Sequence, residues 1–375
     1  MNLPESRAAA LSVTVVRDAS ALLALRSAWE SLEDQAVEYG LYVTWRYVHL
    51  AWQHLAEPDH ALWVLVVHDD ATGRLVGVLP LVRVPERHYG MTVQVLRHIG
   101  IWEGDRPGLL ALDDADGVWS VLWQALVTLR SEWQVLDLRE LVSGCWPLRE
   151  LARPGRGFSS EVLPDIEAPY QRLDGDWELH VATRRDAVQA QWARMQQRLQ
   201  LEQPGACMVV AQGVDDIVEA LERYLALEQA LVQAGGGVTI GSDPRRAAFY
   251  RAWLPELARR GDAAVWLLAS DGGELAGLIR LRCGDTWIER HACYDPAHAD
   301  ITPSLLLTVE ALQQAFTSTA EDSTLVSVRE PESASASVLD WYDGRSLTRR
   351  LSVWNLQSRL GPIALLKGLG SKFRG

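Results

Sequence analysis

Around Gly284-Asp285 the chain sets reactive side chains at alternating positions. A two-residue turn there pairs Arg282 with Trp287, Arg280 with Glu289 and Leu278 with His291 across an antiparallel hairpin. Alternation then puts Arg280, Arg282, Trp287, Glu289 and His291 on one face and Ile279, Leu281, Cys283 and Ile288 on the other. The polar face reads in two ways. As structure, Arg280 and Glu289 form a cross-strand ion pair on a solvated surface, the common outcome for an antiparallel strand. As chemistry, the face lines an acceptor cleft in which Glu289 or His291 takes a proton from an attacking amine or hydroxyl, since general bases are most often His or carboxylates. Arg280, Arg282, Trp287 and Tyr294 would then hold the substrate. After that strand, Tyr294-Asp295-Pro296 turns the chain, and Thr302-Pro303-Ser304-Leu305 opens a helix with Thr302 as N-cap and Pro303 at the first helical position. Backbone N–H groups at such an end favour a phosphate or pyrophosphate, while plain capping explains the same residues. Arg245, following Gly241-Ser242-Asp243-Pro244, is either an anion binder or a solvated residue of a first helical turn.

These residues sit in a pattern that occurs twice. Gly73-Arg74-Leu75-Val76-Gly77-Val78-Leu79-Pro80-Leu81 answers Gly273-Glu274-Leu275-Ala276-Gly277-Leu278-Ile279-Arg280-Leu281, and Ala61-Leu62-Trp63-Val64-Leu65 answers Ala264-Val265-Trp266-Leu267-Leu268. Each half therefore reads strand, two helices, a meander of three strands, helix and strand. The fold class is α+β, two tandem domains with a mixed, mostly antiparallel sheet. This alignment expects Gly73 to match Gly273 and Leu81 to match Leu281. A Pro/Gly-rich stretch, Arg153 to Pro169, marks the boundary, giving an N-terminal domain over 1–155, a linker over 156–175 and a C-terminal domain over 176–375.

The doubled order resembles a tandem GNAT (Gcn5-related N-acyltransferase) protein. Val43-Thr44-Trp45-Arg46-Tyr47, the hairpin at Leu75 to Leu81, and Ala292-Cys293-Tyr294-Asp295-Pro296 followed by Pro303-Ser304-Leu305 are similar to the CelD/BcsL-like family. That resemblance implies an acetyltransferase of cellulose or exopolysaccharide biosynthesis, related in fold to FemAB-like transferases. It implies acyl-CoA, acetyl-CoA foremost, as co-substrate and a small-molecule or glycan acceptor. It makes the C-terminal half the catalytic one, with Glu289 or His291 as base, and Asp295, Thr302, Ser304 and Leu305 as the cofactor-binding segment. In the first half, Arg97-His98 and Trp102-Glu103-Gly104-Asp105 occupy the matching place, yet no acid–base pair stands out. The Arg/Gln-x-x-Gly-x-Gly/Ala loop of single-domain GNAT enzymes is absent from both halves, which keeps a non-catalytic scaffold role open. FemAB-like aminoacyl transfer is the third reading.

Composition narrows the remaining classes. With 375 residues, 48% of them hydrophobic, and a net charge of −13, the chain is neither disordered nor collagenous, and nucleic acid is a poor partner. Its four cysteines show no CxxC pair, so neither a metal nor a disulfide scaffold is expected. No apolar run reaches the ~20 residues needed to span a bilayer, and the start lacks a leader pattern, so a cytoplasmic protein is expected. Sixteen tryptophans are numerous. Trp45, Trp102, Trp146, Trp177, Trp287 and Trp341 fall in or near expected loops, where indole faces can stack on sugars. After Asp343 every charged residue is basic. That tail either packs on the acidic body or touches an anionic membrane from its inner face.

Overall fold

A computed structural model describes residues 10–36, 40–88, 90–235, 239–317, 324–328 and 336–358. The chain divides into two compact units, Met1–Ile166 with Leu347–Gly375, and Glu167–Ser346. The first unit contains β1 (Leu11–Val16), α1 (Ala19–Ala24), α2 (Arg26–Glu33), α3 (Trp45–Leu55), β2 (Ala61–Asp69), β3 (Leu75–His88), β4 (Met91–His98), β5 (Leu110–Ala111), α4 (Ala115–Thr128), β6 (Val135–Leu141) and α5 (Trp146–Glu150). After β7 (Phe158–Arg172) come α6 (Trp177–Ala182), α7 (Asp186–Glu202), β8 (Cys207–Ala211), α8 (Val214–Gln233) and α9 (Pro244–Ala258). The second unit then adds β9 (Ala263–Ser270), β10 (Gly273–Cys283), β11 (Thr286–Tyr294), α10 (Pro303–Thr317), β12 (Leu325–Val328) and α11 (Ala336–Leu339), and β13 (Gly344–Asn355) follows.

Each unit is an α+β layer built on a mixed, mostly antiparallel sheet. In the first the strands run β1-β2-β3-β4-β6-β13, and in the second β8-β9-β10-β11-β12-β7. The parallel neighbours are β4 with β6 and β11 with β12, the two places where a helix crosses over. The segment expected as a linker is thus a strand. Its C-terminal residues Tyr170 to Arg172 pair with β12, while Arg349 to Trp354 of β13 pair with β6 of the first unit. The turn-forming residues of the boundary are confined to Gly155 and Gly157, both with positive φ, just ahead of β7. The tail expected to close the C-terminal domain instead buries Leu351 and Val353 among Leu136, Leu138 and Trp133 of the first. The helix expected at Leu360 to Phe373 lies outside the described residues.

The repeat is real in architecture but shifted in register. Trp63 pairs with Leu81, whereas Trp266 pairs with Leu278. Leu278, not Leu281, is therefore the counterpart of Leu81. The faces agree with this. Leu79 and Leu81 lie in the core beneath α4, and Ala276 and Leu278 in the core beneath α10. A Cβ on Gly77 would meet Val118 of α4 at 2.5 Å, but one on Gly277 would meet Tyr224 of α8 at 2.6 Å, so the matched glycines face different helices. The second hairpin turns sooner, at Asp271-Gly272, and that shortening breaks the Gly–Leu alignment while the tryptophans stay in step. Corresponding capping devices recur as well. Glu33 accepts the Trp45 N–H at 2.6 Å in the first unit, and Glu228 accepts the Gly241 N–H at 2.8 Å in the second. Among the described residues no helix is long and apolar enough to cross a membrane.

Candidate functional site

The hairpin of β10 and β11 closes on Gly284, whose φ of +60° suits a two-residue turn. Its first pairs follow the alternation: Arg282 with Trp287 and Arg280 with Glu289. The register then slips by one residue at Arg290, and Ile279 pairs with His291. A β-bulge of this kind reverses which face every later residue occupies. His291 consequently does not share a face with Glu289. It turns toward α9, where its Nε2 shares a 2.7 Å hydrogen bond with the Tyr250 hydroxyl.

On the α10 side the remaining pair is deeply enclosed, not solvated. Glu289 is 4% exposed and Arg280 2%. The Arg280 guanidinium lies 5.1 Å from the Trp287 ring centre and 5.6 Å from that of Trp266, and its Nη1 donates to the Ala311 carbonyl at 3.3 Å. The Tyr342 hydroxyl donates to Glu289 Oε2 at 2.6 Å, while Oε1 has no hydrogen-bond partner among the described residues. Burial pushes the Glu289 carboxyl up to about 7, against the pull of Arg280 and the Tyr342 hydrogen bond. Burial and the neighbouring Glu289 charge drive the Tyr342 phenol well above its ordinary range, so it remains a donor. A carboxyl near 7 with one oxygen anchored and the other unpaired is suited to accept and return a proton at neutral pH. Tyr342 carried no signal in the sequence, because it approaches from a segment more than 50 positions along the chain.

The other expected site residues divide. Trp287 is buried and serves as a wall for Arg280. Arg282 donates from Nε to the Gly284 carbonyl at 3.1 Å and thereby braces the turn. Tyr294 packs against the α10-side core. Asp295 accepts the Ala297 N–H at 3.0 Å and contacts His298 Nδ1 at 2.9 Å, capping the short turn Pro296–Ile301. Thr302 is left-handed, with φ +47°, not the extended N-cap expected. Its carbonyl takes the N–H groups of Leu305 and Leu306 at 3.1 and 3.2 Å, and Pro303 has none, leaving Ser304 as the donor this turn offers an anion. Leu305 is a core residue. The Arg245 N–H binds Asp243 Oδ1 at 2.8 Å at the start of α9. Of the six loop tryptophans, Trp45, Trp177, Trp287 and Trp341 are buried and Trp146 stacks on Trp119; Trp102 stands exposed. Among the described residues no cluster of His, Cys, Asp or Glu is placed to hold a metal ion.

Residues 201–323, which include β10, β11 and α10, match the acetyltransferase (GNAT) domain family. The fold is similar to the crystal structure of FemX, with a TM-score of 0.57 and 11% identity over 87% of this chain and 95% of that one. It is likewise similar to a conserved protein of unknown function from Bacteroides thetaiotaomicron, with a TM-score of 0.56 and 10% identity over 91% of this chain and 100% of that one. At such identities the likeness is one of fold. No curated protein matches the chain in sequence.

Proposed function

We propose that the second unit is an acyltransferase that moves an acyl group from acyl-CoA to an amine or hydroxyl, with Glu289 as the proton acceptor. The acceptor we assign is a sugar or polysaccharide precursor, on the strength of the CelD-like motifs. One observation carries the reading: within a GNAT-matched segment, a buried carboxyl sits near neutral pKa with Oε1 unpaired among the described residues. The acceptor nitrogen or oxygen attacks the thioester carbonyl, the carbon–sulfur bond breaks, and the proton released by the nucleophile passes to Glu289 Oε1, directly or through one water. That proton then leaves with the thiol. Arg280, opposite, keeps the carboxylate form within reach, and Tyr342 fixes Oε2 so that Oε1 keeps its direction. His291, held by Tyr250 on the other face, has no part in this step.

Glu289→Gln should lower kcat by ~10²–10⁴ while acyl-CoA affinity changes little. Wild-type turnover in that variant, with a working acceptor, would remove Glu289 from the chemistry. The sparse donors at the start of α10 favour a second reading, a binding or scaffold subunit that has lost catalysis. Calorimetric titration with acetyl-CoA separates the two, since the acyltransferase reading requires binding and the scaffold reading does not.

A further inference from the structure

Tyr342 reaches Glu289 from a short segment, residues 340–344, that follows α11 and is gripped from several sides within the second unit. Trp341 is buried. Its ring stacks on that of Trp177 in α6 with centres 5.7 Å apart, and it meets Trp192 of α7 edge-on at 5.7 Å. The Asp343 N–H donates to Gln171 Oε1 of β7 at 3.1 Å. Gly344 lies so close to Tyr170 that a Cβ there would stand 2.2 Å from its ring. A phenol carried between two anchored neighbours has little freedom to leave its acceptor.

The connection between α6 and α7 supplies the remaining hold, and one side chain makes most of it. Arg184 is buried, and its guanidinium grips the chain on both sides of Trp341-Tyr342. Nη1 donates to the Asp340 carbonyl at 3.2 Å, and Nη2 donates to the Asp343 carboxylate. The guanidinium is itself fixed: Nε donates to the His180 carbonyl at 3.3 Å and Nη2 to Thr183 Oγ1 at 3.0 Å. Arg185 meets the same segment through Asp340 Oδ1 at 2.6 Å, but that pair stands in solvent. A planar guanidinium can bridge a carbonyl and a carboxylate three residues apart, whereas an ammonium is a point donor without that fork.

We propose that Arg184 is a positioning residue that holds the Tyr342 hydroxyl on Glu289 by clamping residues 340 and 343 on either side of it. Exposed ion pairs contribute little to such a hold, so Arg185 matters far less. The inference rests on Glu289 as the proton acceptor, and adds that the direction of its carboxyl is set from the connection between α6 and α7.

Infrared titration of the Glu289 carboxyl band, assigned by difference from Glu289→Gln in each background, tests the clamp without an acceptor. Arg184→Met should raise the Glu289 midpoint by about one pH unit, as loss of the Tyr342 hydrogen bond does. Combined with Tyr342→Phe it should raise the midpoint no further, because an effect routed through that hydrogen bond ends when the phenol is gone, while a direct effect of the Arg184 charge would persist. Arg184→Lys keeps the charge beside Asp343 without the fork; it should give a smaller rise in the same direction, and it carries the test if Arg184→Met unfolds. Arg185→Met should leave the midpoint where it is. A wild-type midpoint in the folded Arg184 variants, a rise that adds to that of Tyr342→Phe, or an equal rise in Arg185→Met would each overturn the proposal. Because midpoints are compared between variants, the result decides the clamp whatever the wild-type value, and the catalytic role of Glu289 is decided separately by the turnover of Glu289→Gln.

Discussion

The central hairpins of the two units each set an arginine over a tryptophan and differ in the residue across from that arginine. In the first, Arg83 pairs with Leu96 and lies 5.2 Å from the Trp63 ring centre. In the second, Arg280 pairs with Glu289 and lies 5.6 Å from Trp266. The arginine-over-tryptophan platform is common to both, while the residue across from the arginine is apolar in one and acidic in the other. β4 runs without a bulge; β11 has one immediately after the glutamate. Arg83 is half-buried and reaches toward Glu132 at 3.8 Å, a rim contact, whereas Arg280 is sealed with its partner. An enclosed carboxyl with an unpaired oxygen is costly to keep. Its presence in only one of two otherwise matched frames therefore speaks for chemistry over stability.

Replacing Glu289 by Leu makes the second hairpin a copy of the first, and this should have the largest consequence of any change here. Turnover should fall by ~10²–10⁴, and because Arg280 is left buried without its carboxylate, stability at neutral pH should fall by about 3–5 kcal/mol. Unchanged turnover in the folded variant would show instead that Glu289 is only a structural partner of Arg280. Placing the acid in the other half reverses the comparison. Leu96→Glu should cost about 1–3 kcal/mol of stability in denaturant unfolding and bring no activity, because Leu96 lies fully buried among the apolar side chains of the first core. A neutral effect on stability would mean that the first core already tolerates charge at that site.

The pH dependence of stability sharpens the same contrast. Glu289 has a folded value raised to about 7 from 4.5, so its contribution is present below about 4.5 and is lost as pH rises through about 7. In the Glu289→Leu variant that loss, up to about 3 kcal/mol, should disappear. His98 of the first unit runs the other way: burial depresses it to about 4, so its contribution is present above about 6.5 and is lost as pH falls toward 4. His180 of the second unit, also depressed to about 4 by burial, adds to that acid limb. Urea unfolding from pH 4 to 8 should show wild-type stability falling on both sides of an intermediate maximum. In Glu289→Leu the upper side should flatten and the acid side steepen, because the Glu289 loss runs over about 4.5–7 and opposes the two histidines there.

Tyr342→Phe should have the smallest effect. It removes a hydrogen bond that favours the charged carboxylate, so the Glu289 value should rise by roughly one unit and the alkaline shift should appear in the pH profile of kcat/KM. An unmoved profile would show that Tyr342 merely fills space.

Much of this was legible in the residues and some was not. Alternation read outward from Gly284-Asp285 paired Arg280 with Glu289 correctly, since short-range pairing depends on the turn. It failed at His291, one bulge later. The run Glu289-Arg290-His291, three polar residues in the middle of a strand, was the available sign that alternation would break there. Duplication was visible through its tryptophans, whereas the Gly–Leu match misled because the shorter turn of the second hairpin shifts every residue after it. The division of units, at Ile166 and Glu167, lies within 156–175, but the linker expected there is a strand, for a different reason. Pro164 and Pro169 look like punctuation, yet β7 accommodates both, and which sheet a strand joins depends on partners far away in the chain. The same long-range dependence hid Tyr342, and the closed environment that raises Glu289 could not be read from a pattern expecting a solvated face.

The central claim is that Glu289 titrates near neutral pH in a place where the first half holds leucine. Infrared difference spectra of wild type against Glu289→Gln, recorded from pH 5 to 9, test it without a known acceptor. A protonated-carboxyl band specific to Glu289 should be present at pH 5 and disappear with a midpoint of about 7. A carboxylate already ionised at pH 5 would contradict the account.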